Sequence, residues 1–182
     1  MSMIYGKRIR LRAVERSDVE KFHQWINDPE VTEGLALYLP MSMRDEEGWF
    51  DGLASRPPQE KPLAIDCLEG TAWRLIGNSG FFDIDPRARS AEVGIMIGDK
   101  SDWNKGYGTE AMGLLLRHGF ETLNLNRVCL RVYSSNPRAI RSYEKSGFIL
   151  EGRMREAVYQ RGAYGDVLIM SVLRSQWDAN EK

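Results

Sequence analysis

Residues 103–110, Trp-Asn-Lys-Gly-Tyr-Gly-Thr-Glu, set two glycines ahead of a segment in which Ala111, Leu115, Leu116 and Phe120 recur at helical spacing. Backbone N–H groups freed by such a loop, at the positive end of a helix dipole, form a seat for a pyrophosphate. Further on, Asn136-Pro137-Arg138-Ala139-Ile140-Arg141-Ser142-Tyr143-Glu144-Lys145-Ser146-Gly147-Phe148 reads as a second, shorter helix with a tyrosine inside it. A phenol has a reference pKa of about 10, slightly above that of a thiol, so Tyr143 can return a proton to a departing thiolate at little cost. Glu92, on a strand whose Ala91, Val93, Ile95 and Ile97 are apolar, is the first candidate to accept a proton, and Asp83 a weaker one.

Each of these residues also has a plain structural explanation. A glycine pair shapes a turn, and Thr109 and Glu110 complement a helix dipole. Ala139, Ile140 and Tyr143 form the apolar face of a helix, where a tyrosine is ordinarily core. Asn136 followed by proline is a good N-cap. Glu92 suits a solvated sheet face equally well, and Arg138 and Arg141 a solvated helix face.

The elements that must position these groups follow from periodicity and turn chemistry. Ile9-Arg10-Leu11-Arg12 alternates like a half-buried strand. Ser17 can cap a helix carrying Val19, Phe22, Trp25 and Ile26, which ends near Asn27-Asp28-Pro29, and a second helix runs from Ser42 or Met43 to about Ser55. Residues 31–40 read as a loop that lines a substrate entrance. Strands are predicted at Leu63–Leu68, Leu75–Ile84, Ala91–Ile97, Val128–Val132, Phe148 to about Tyr159, and Val167–Leu173. Helices first, then a run of strands, then strand–helix–strand–helix–strand–strand, point to a mixed sheet with helices on its faces, in one domain over residues 1–182.

Gly106-x-Gly108-x-x-Ala111 loosely matches a dinucleotide fingerprint, but that motif needs its first glycine at the end of a strand and an acid about 20 residues later. Here Gly98 to Lys105 intervene, and Val132-Tyr133-Ser134-Ser135 stands where the acid belongs. No Gly-Lys-Ser/Thr occurs, so a nucleotide-triphosphate loop is excluded as well.

These motifs resemble those of the GNAT superfamily of acyl-CoA-dependent N-acyltransferases, and more closely its RimJ/RimL-like (ribosomal-protein-alanine N-acetyltransferase) branch, near the spermidine acetyltransferases. The resemblance starts at Arg8-Ile9-Arg10-Leu11-Arg12, continues through Asn27-Asp28-Pro29-Glu30-Val31, and is strongest from Ile76-Gly77-Asn78 to Phe148. The superfamily loop Gln/Arg-x-x-Gly-x-Gly/Ala lands on Trp103-Asn104-Lys105-Gly106-Tyr107-Gly108, with Trp103 in the first place, as is usual in that branch. The helix pattern Asn-x-x-Ala-x-x-x-Tyr-x-x-x-Gly-Phe lands on Asn136, Ala139, Tyr143, Gly147 and Phe148.

The resemblance implies an α+β fold: a largely antiparallel seven-stranded sheet with about four helices, splayed between its fourth and fifth strands by a bulge near Ile95 to Ile97. It implies acetyl-CoA as donor, held by Trp103, Asn104, Lys105, Gly106, Tyr107, Gly108 and Thr109, by Ile95, Met96 and Ile97, and by Asn136 and Ala139. One backbone N–H of the Ile95–Ile97 stretch would hold the thioester oxygen, with Lys105 as the charge beside the phosphates. Tyr143 would be the acid and Glu92 the base. The acceptor it implies is a primary amine, first a protein N-terminal α-amino group, with a polyamine or other small amine as runner-up. Family habit adds a homodimer. A non-catalytic acyl-CoA-binding module is the reading of another class; the proton-transfer set weighs against it.

The net charge of −1 argues against a nucleic-acid partner bound through its phosphates. No apolar run reaches the roughly 18 residues of a membrane span, and the start lacks a signal core. Cys67 and Cys129, in strand-like runs, read as buried free thiols of a reducing compartment, which places the protein in the cytoplasm. His23 and His118 have no clustered partners, so no metal site is expected. On the acceptor side, Asp45-Glu46-Glu47 reads as a surface helix start more readily than as an attractor of amines. Trp25 reads as core, while Trp49, Phe50 and Tyr38 stay open between core and a groove wall.

Overall fold

The computed structural model describes residues 3–35, 37 and 39–180; the expectation for Tyr38 lies outside them. Eight strands form one sheet in the order β1-β2-β3-β4-β5-β6-β8-β7. They are β1 (Ile4–Tyr5), β2 (Ile9–Ala13), β3 (Leu63–Glu69), β4 (Ala72–Asp85), β5 (Ser90–Ile97), β6 (Arg127–Tyr133), β7 (Ile149–Gln160) and β8 (Ala163–Leu173). The expected seven become eight because β1, only two residues long, adds to the edge by pairing Ile4 with Leu11. Two residues are too few to show any period in sequence. Six α-helices replace the expected four: α1 (Val19–Ile26), α2 (Pro29–Thr32), α3 (Met43–Gly52), α4 (Tyr107–Arg117), α5 (Pro137–Lys145) and α6 (Arg174–Asn180). The Asn27-Asp28-Pro29 step both ends α1 and starts α2, since the Asp28 side chain accepts from the Glu30 amide and Pro29 occupies the first helical position. At the start of α1 the cap belongs to Glu15 and Asp18, not to Ser17.

The pairing of β5 with β6 is parallel, and all other ladders of the described sheet are antiparallel. That parallel ladder is short: Ser90, Ala91 and Glu92 pair with Arg127, Val128 and Cys129 and the ladder stops there. Beyond it β5 stays with β4 up to Ile97, while β6 stays with β8 up to Tyr133, so the two halves of the sheet part like a fork. This is the expected splay, counted one strand later because of β1. The register between β4 and β5 shifts near Phe82–Asp85, where Asp83 has φ 51, and not at Ile95–Ile97. The parting of β5 and β6 therefore comes from the end of their ladder.

Helix α4 lies on one face of the sheet. Its Ala111, Met112, Leu115 and Leu116, with Phe120, pack against Ile9, Leu11, Ile65, Ile76, Val93, Val128 and Leu130 in one buried cluster. A second cluster joins α1 to the sheet through Phe22, Trp25 and Val31, with Trp49, Leu75, Met96 and Trp103 against it. Trp25 is core, as expected. The β7–β8 hairpin is longer than its sequence suggested, because Arg161 (φ 50) and Gly162 (φ 82) make a two-residue turn with both φ values positive.

Candidate active site

The loop between β5 and α4 carries two left-handed residues, Asn104 (φ 62) and Gly106 (φ 84), and Gly106 is the N-cap of α4. The first helix-type bond runs from the Glu110 amide to the Gly106 carbonyl, 3.0 Å. The amides of Tyr107, Gly108 and Thr109 thus precede the ladder and point out of the helix end. A Cβ on Gly108 would meet Ile97 and Ser142 at 3.8 Å, an ordinary contact distance.

The loop is held from below by charges. Glu110 Oε1 accepts from the amides of Lys7 and Arg8, both at 2.8 Å, and its Oε2 from Arg8 Nε at 2.9 Å. Arg8 also donates to the Lys105 carbonyl, 2.9 Å, and lies over the Tyr107 ring. Buried Asp102 takes Arg74 at 2.9 Å and Lys105 Nζ at 3.2 Å. Lys105, expected as the charge beside the phosphates, is therefore tied to a carboxylate. Trp103 donates its indole N–H to the Ile97 carbonyl, 2.7 Å, and the Arg138 guanidinium stacks on its ring at 3.5 Å. Arg138 has no salt-bridge partner among the described residues and lines the cleft; burial pulls its pKa down. Arg138 thus faces the loop, and Arg141 and Lys145 of the same helix also border the cleft, on a helix face that reads in sequence as solvated.

The cleft itself, about 270 Å³, runs from this loop along the fork between β5 and β6 to α5. Ile95, Met96, Ile97, Trp103, Asn104, Gly106, Tyr107, Gly108, Thr109, Asn136, Ala139 and Tyr143 all border it. Lys105 and Glu92 do not. Strand alternation sorts the β5 backbone. The Gly98 amide bonds to Ile76 of β4 at 2.9 Å, and a Cβ on Gly77 would lie 2.0 Å from the Met96 carbonyl oxygen, so Met96 turns its peptide groups to β4. Ile95 and Ile97 turn theirs to the edge that β6 has left. Met96 borders the cleft with its amide turned to β4, where an amide for the thioester was an equal expectation.

Helix α5 brings in the remaining groups. Asn136 caps it by accepting from the Ala139 amide, 3.0 Å, which leaves the side-chain N–H donors for the cleft; Pro137 follows, and Gly147 (φ 91) closes the helix. Thr109 and Ser142 share a 2.9 Å hydrogen bond that ties α5 to α4. Tyr143 packs on Phe148, and its hydroxyl makes no hydrogen bond among the described residues. Burial pushes its pKa up to about 12.

Glu92 is placed otherwise than expected of a free base. It sits at the last rung of the β5–β6 ladder, and both its oxygens accept from Arg131, at 2.9 Å each. A bidentate guanidinium takes one lone pair of each oxygen and holds the carboxylate in a salt bridge. Asp83 is exposed at the far bend of β4 and takes no part.

A second cavity, about 480 Å³, lies between α1, α3 and strands β4 and β5, and meets the first at Leu35, Ile95 and Met96. Trp49 borders it, while Phe50 lies under Arg16. The acidic run at the start of α3 splits in two. Asp45 forms the capping box with Ser42 and Glu47 is exposed, as a surface helix start requires, but Glu46 is 4 % exposed and lines the cavity.

Residues 8–149 match the model of a family described as an acetyltransferase (GNAT) domain. The chain is 29% identical to spermidine N(1)-acetyltransferase of Vibrio cholerae serotype O1, covering 94% of this chain and 96% of that one. It is 31% identical to the Bacillus subtilis protein named "Putative ribosomal N-acetyltransferase YdaF", covering 97% of both. The crystal structure of spermidine N-acetyltransferase from Vibrio cholerae in complex with CoA and spermine superposes with a TM-score of 0.86 at 27% identity, covering 94% of this chain and 99% of the other.

Proposed function

The chain belongs to the acetyltransferase (GNAT) family, and from that premise we propose that it passes acetyl from acetyl-CoA to a primary amine of a small, spermidine-type cation, by direct attack in a ternary complex. The observation that carries this reading is the fork. Past Glu92 the β5 edge has no partner strand, and the unengaged Tyr143 hydroxyl borders the same cleft as the Gly106–Gly108 loop. A diphosphate on the Tyr107–Thr109 amides, with Arg138 beside it, lets the pantetheine arm run along this open edge. Asn136 donates to the arm, and the Ile95 or Ile97 amide takes the thioester oxygen. Oxyanion donors of this kind contribute about 10²–10³ in rate.

The amine attacks the carbonyl carbon, the C–S bond breaks, and Tyr143 protonates the sulfur. A phenol at about 12 lies well above a thiol in water. A sulfur lodged in the same fork is desolvated as well, however, and its own pKa rises with the phenol's. The proton lost by the amine goes to water, since Arg131 holds Glu92. No cysteine borders the cleft among the described residues, which fits transfer without an acyl-enzyme. Acetyl-CoA and two unbridged cysteines fit a cytoplasmic place of work.

A protein α-amino acceptor, as in the RimJ/RimL-like branch, is the second reading, and the 31% identity to the protein named as a ribosomal N-acetyltransferase favours it. Thiol release from acetyl-CoA, measured with spermidine, spermine and alanine-terminated peptides, separates the two. Turnover of the polyamines above the peptides is the expected result. Release with peptides alone would move the assignment to the α-amino group, and silence with every acceptor would remove the transfer reading.

A further inference from the structure

One buried charged side chain in the second cavity lacks a partner. Glu46, on α3, is 4 % exposed and has no hydrogen bond or ion pair among the described residues. Burial raises its pKa, opposed only by the charge of His23 on α1, whose own ring bonds to the Met41 carbonyl at 2.9 Å. The side chain of Ser79, on β4, does not share this cavity: Phe81, two residues on along the same strand face, packs against Gly119 behind α4, so the Ser79 hydroxyl lies on the other face of the sheet. Glu46 lines the cavity, whose other walls include Phe22, Trp49 and Phe82. Arg56 and Glu60 also border it with opposite charges, Arg56 on the exposed side. An unpaired carboxylate in such a place is expensive to keep unless something cationic comes to it.

We propose that this cavity seats the acceptor, and that Glu46 binds a second ammonium at the far end of an acceptor whose near amine reaches Ile95 and Met96. This deepens the acetyl-transfer reading and rests on it. An ammonium offers three donors and no acceptor, which suits a carboxylate with no other partner. The aromatic and aliphatic walls suit the methylene spacer between the two nitrogens. One buried carboxylate provides for one distal charge, so the cavity selects a diamine over a monoamine of equal length. It does not demand the several charges of a longer polyamine.

The test compares kcat/KM for 1,4-diaminobutane and n-butylamine, with an alanine-terminated peptide as a third acceptor, in the wild type, Glu46→Gln and Ser79→Ala. The wild type should prefer the diamine, and Glu46→Gln should shrink that preference about 10- to 100-fold, mainly through KM. Ser79→Ala, on the other face of the sheet, should leave it unchanged. The melting temperature of Glu46→Gln should equal or exceed that of the wild type, because an unpaired buried charge is gone. A preference that survives Glu46→Gln, an equal loss for both amines, or a lowered melting temperature with equal losses would overturn the seat while acetyl transfer stands. Peptide acetylation with neither amine turned over would do the same. Silence with all three acceptors would overturn the seat and the transfer reading together.

Discussion

At the scale of single residues, Tyr143 and Glu92 have exchanged their standing. In sequence Glu92 is the first candidate base, even with a solvated sheet face, while a tyrosine placed like Tyr143 is ordinarily core. The structure gives Tyr143 an unengaged hydroxyl in the cleft and gives Glu92 a guanidinium on both oxygens. Tyr143→Phe should lower kcat by about 10²–10⁴ while CoA affinity measured by calorimetry stays within about threefold. With its pKa raised to about 12, the phenol keeps its proton across the working range, so Tyr143 adds no alkaline fall in kcat below about pH 11. Glu92→Gln, by contrast, removes one arm of an ion pair whose arginine is 55% exposed. Such pairs are worth about 0.2–1 kcal/mol, and kcat should fall less than about tenfold. A fall of the general-base size would restore Glu92 to the chemistry. The sequence could not show this pairing, because Arg131 lies 39 residues on in a strand that reaches Glu92 through a parallel ladder.

Among the elements, the short ladder between β5 and β6 and the left-handed entry to α4 set the site. Gly106 needs φ 84, and a Cβ there would also stand 3.3 Å from the Arg8 guanidinium. Gly106→Ala therefore carries a left-handed penalty of about 1–2 kcal/mol and disturbs the charge that holds the loop. The melting temperature should fall by about 2–8 °C and the Kd for CoA should rise about tenfold, read by thermal melts and calorimetry. An unchanged Kd would mean that the loop amides do not carry the diphosphate. This loop was legible in sequence, since glycine spacing and the helical period after it are local signals. So was the Asn136-Pro137 cap of α5. Strand β1 was not, being shorter than one period, nor was α2, whose proline reads equally as the end of the helix before it. Arg138 and Glu46 were misread for one shared reason. Their surroundings, the Trp103 ring and the cavity under α3, come from elements distant in sequence, while their neighbours in sequence look solvated.

Across the whole molecule, one sheet parts into two halves, and two cavities meet where it parts. The first, bordered by α4, α5 and the fork, suits the donor; the second, under α1 and α3, suits the acceptor; Ile95 and Met96 belong to both. Direct transfer needs both substrates present at that junction together, with no covalent relay through the chain. Initial rates of thiol release, measured while acetyl-CoA and spermidine are varied against each other, test this most directly. Transfer through the fork gives acceptor-dependent release and double-reciprocal lines that intersect. Parallel lines, the mark of an acyl-enzyme, or release indifferent to the amine would contradict it.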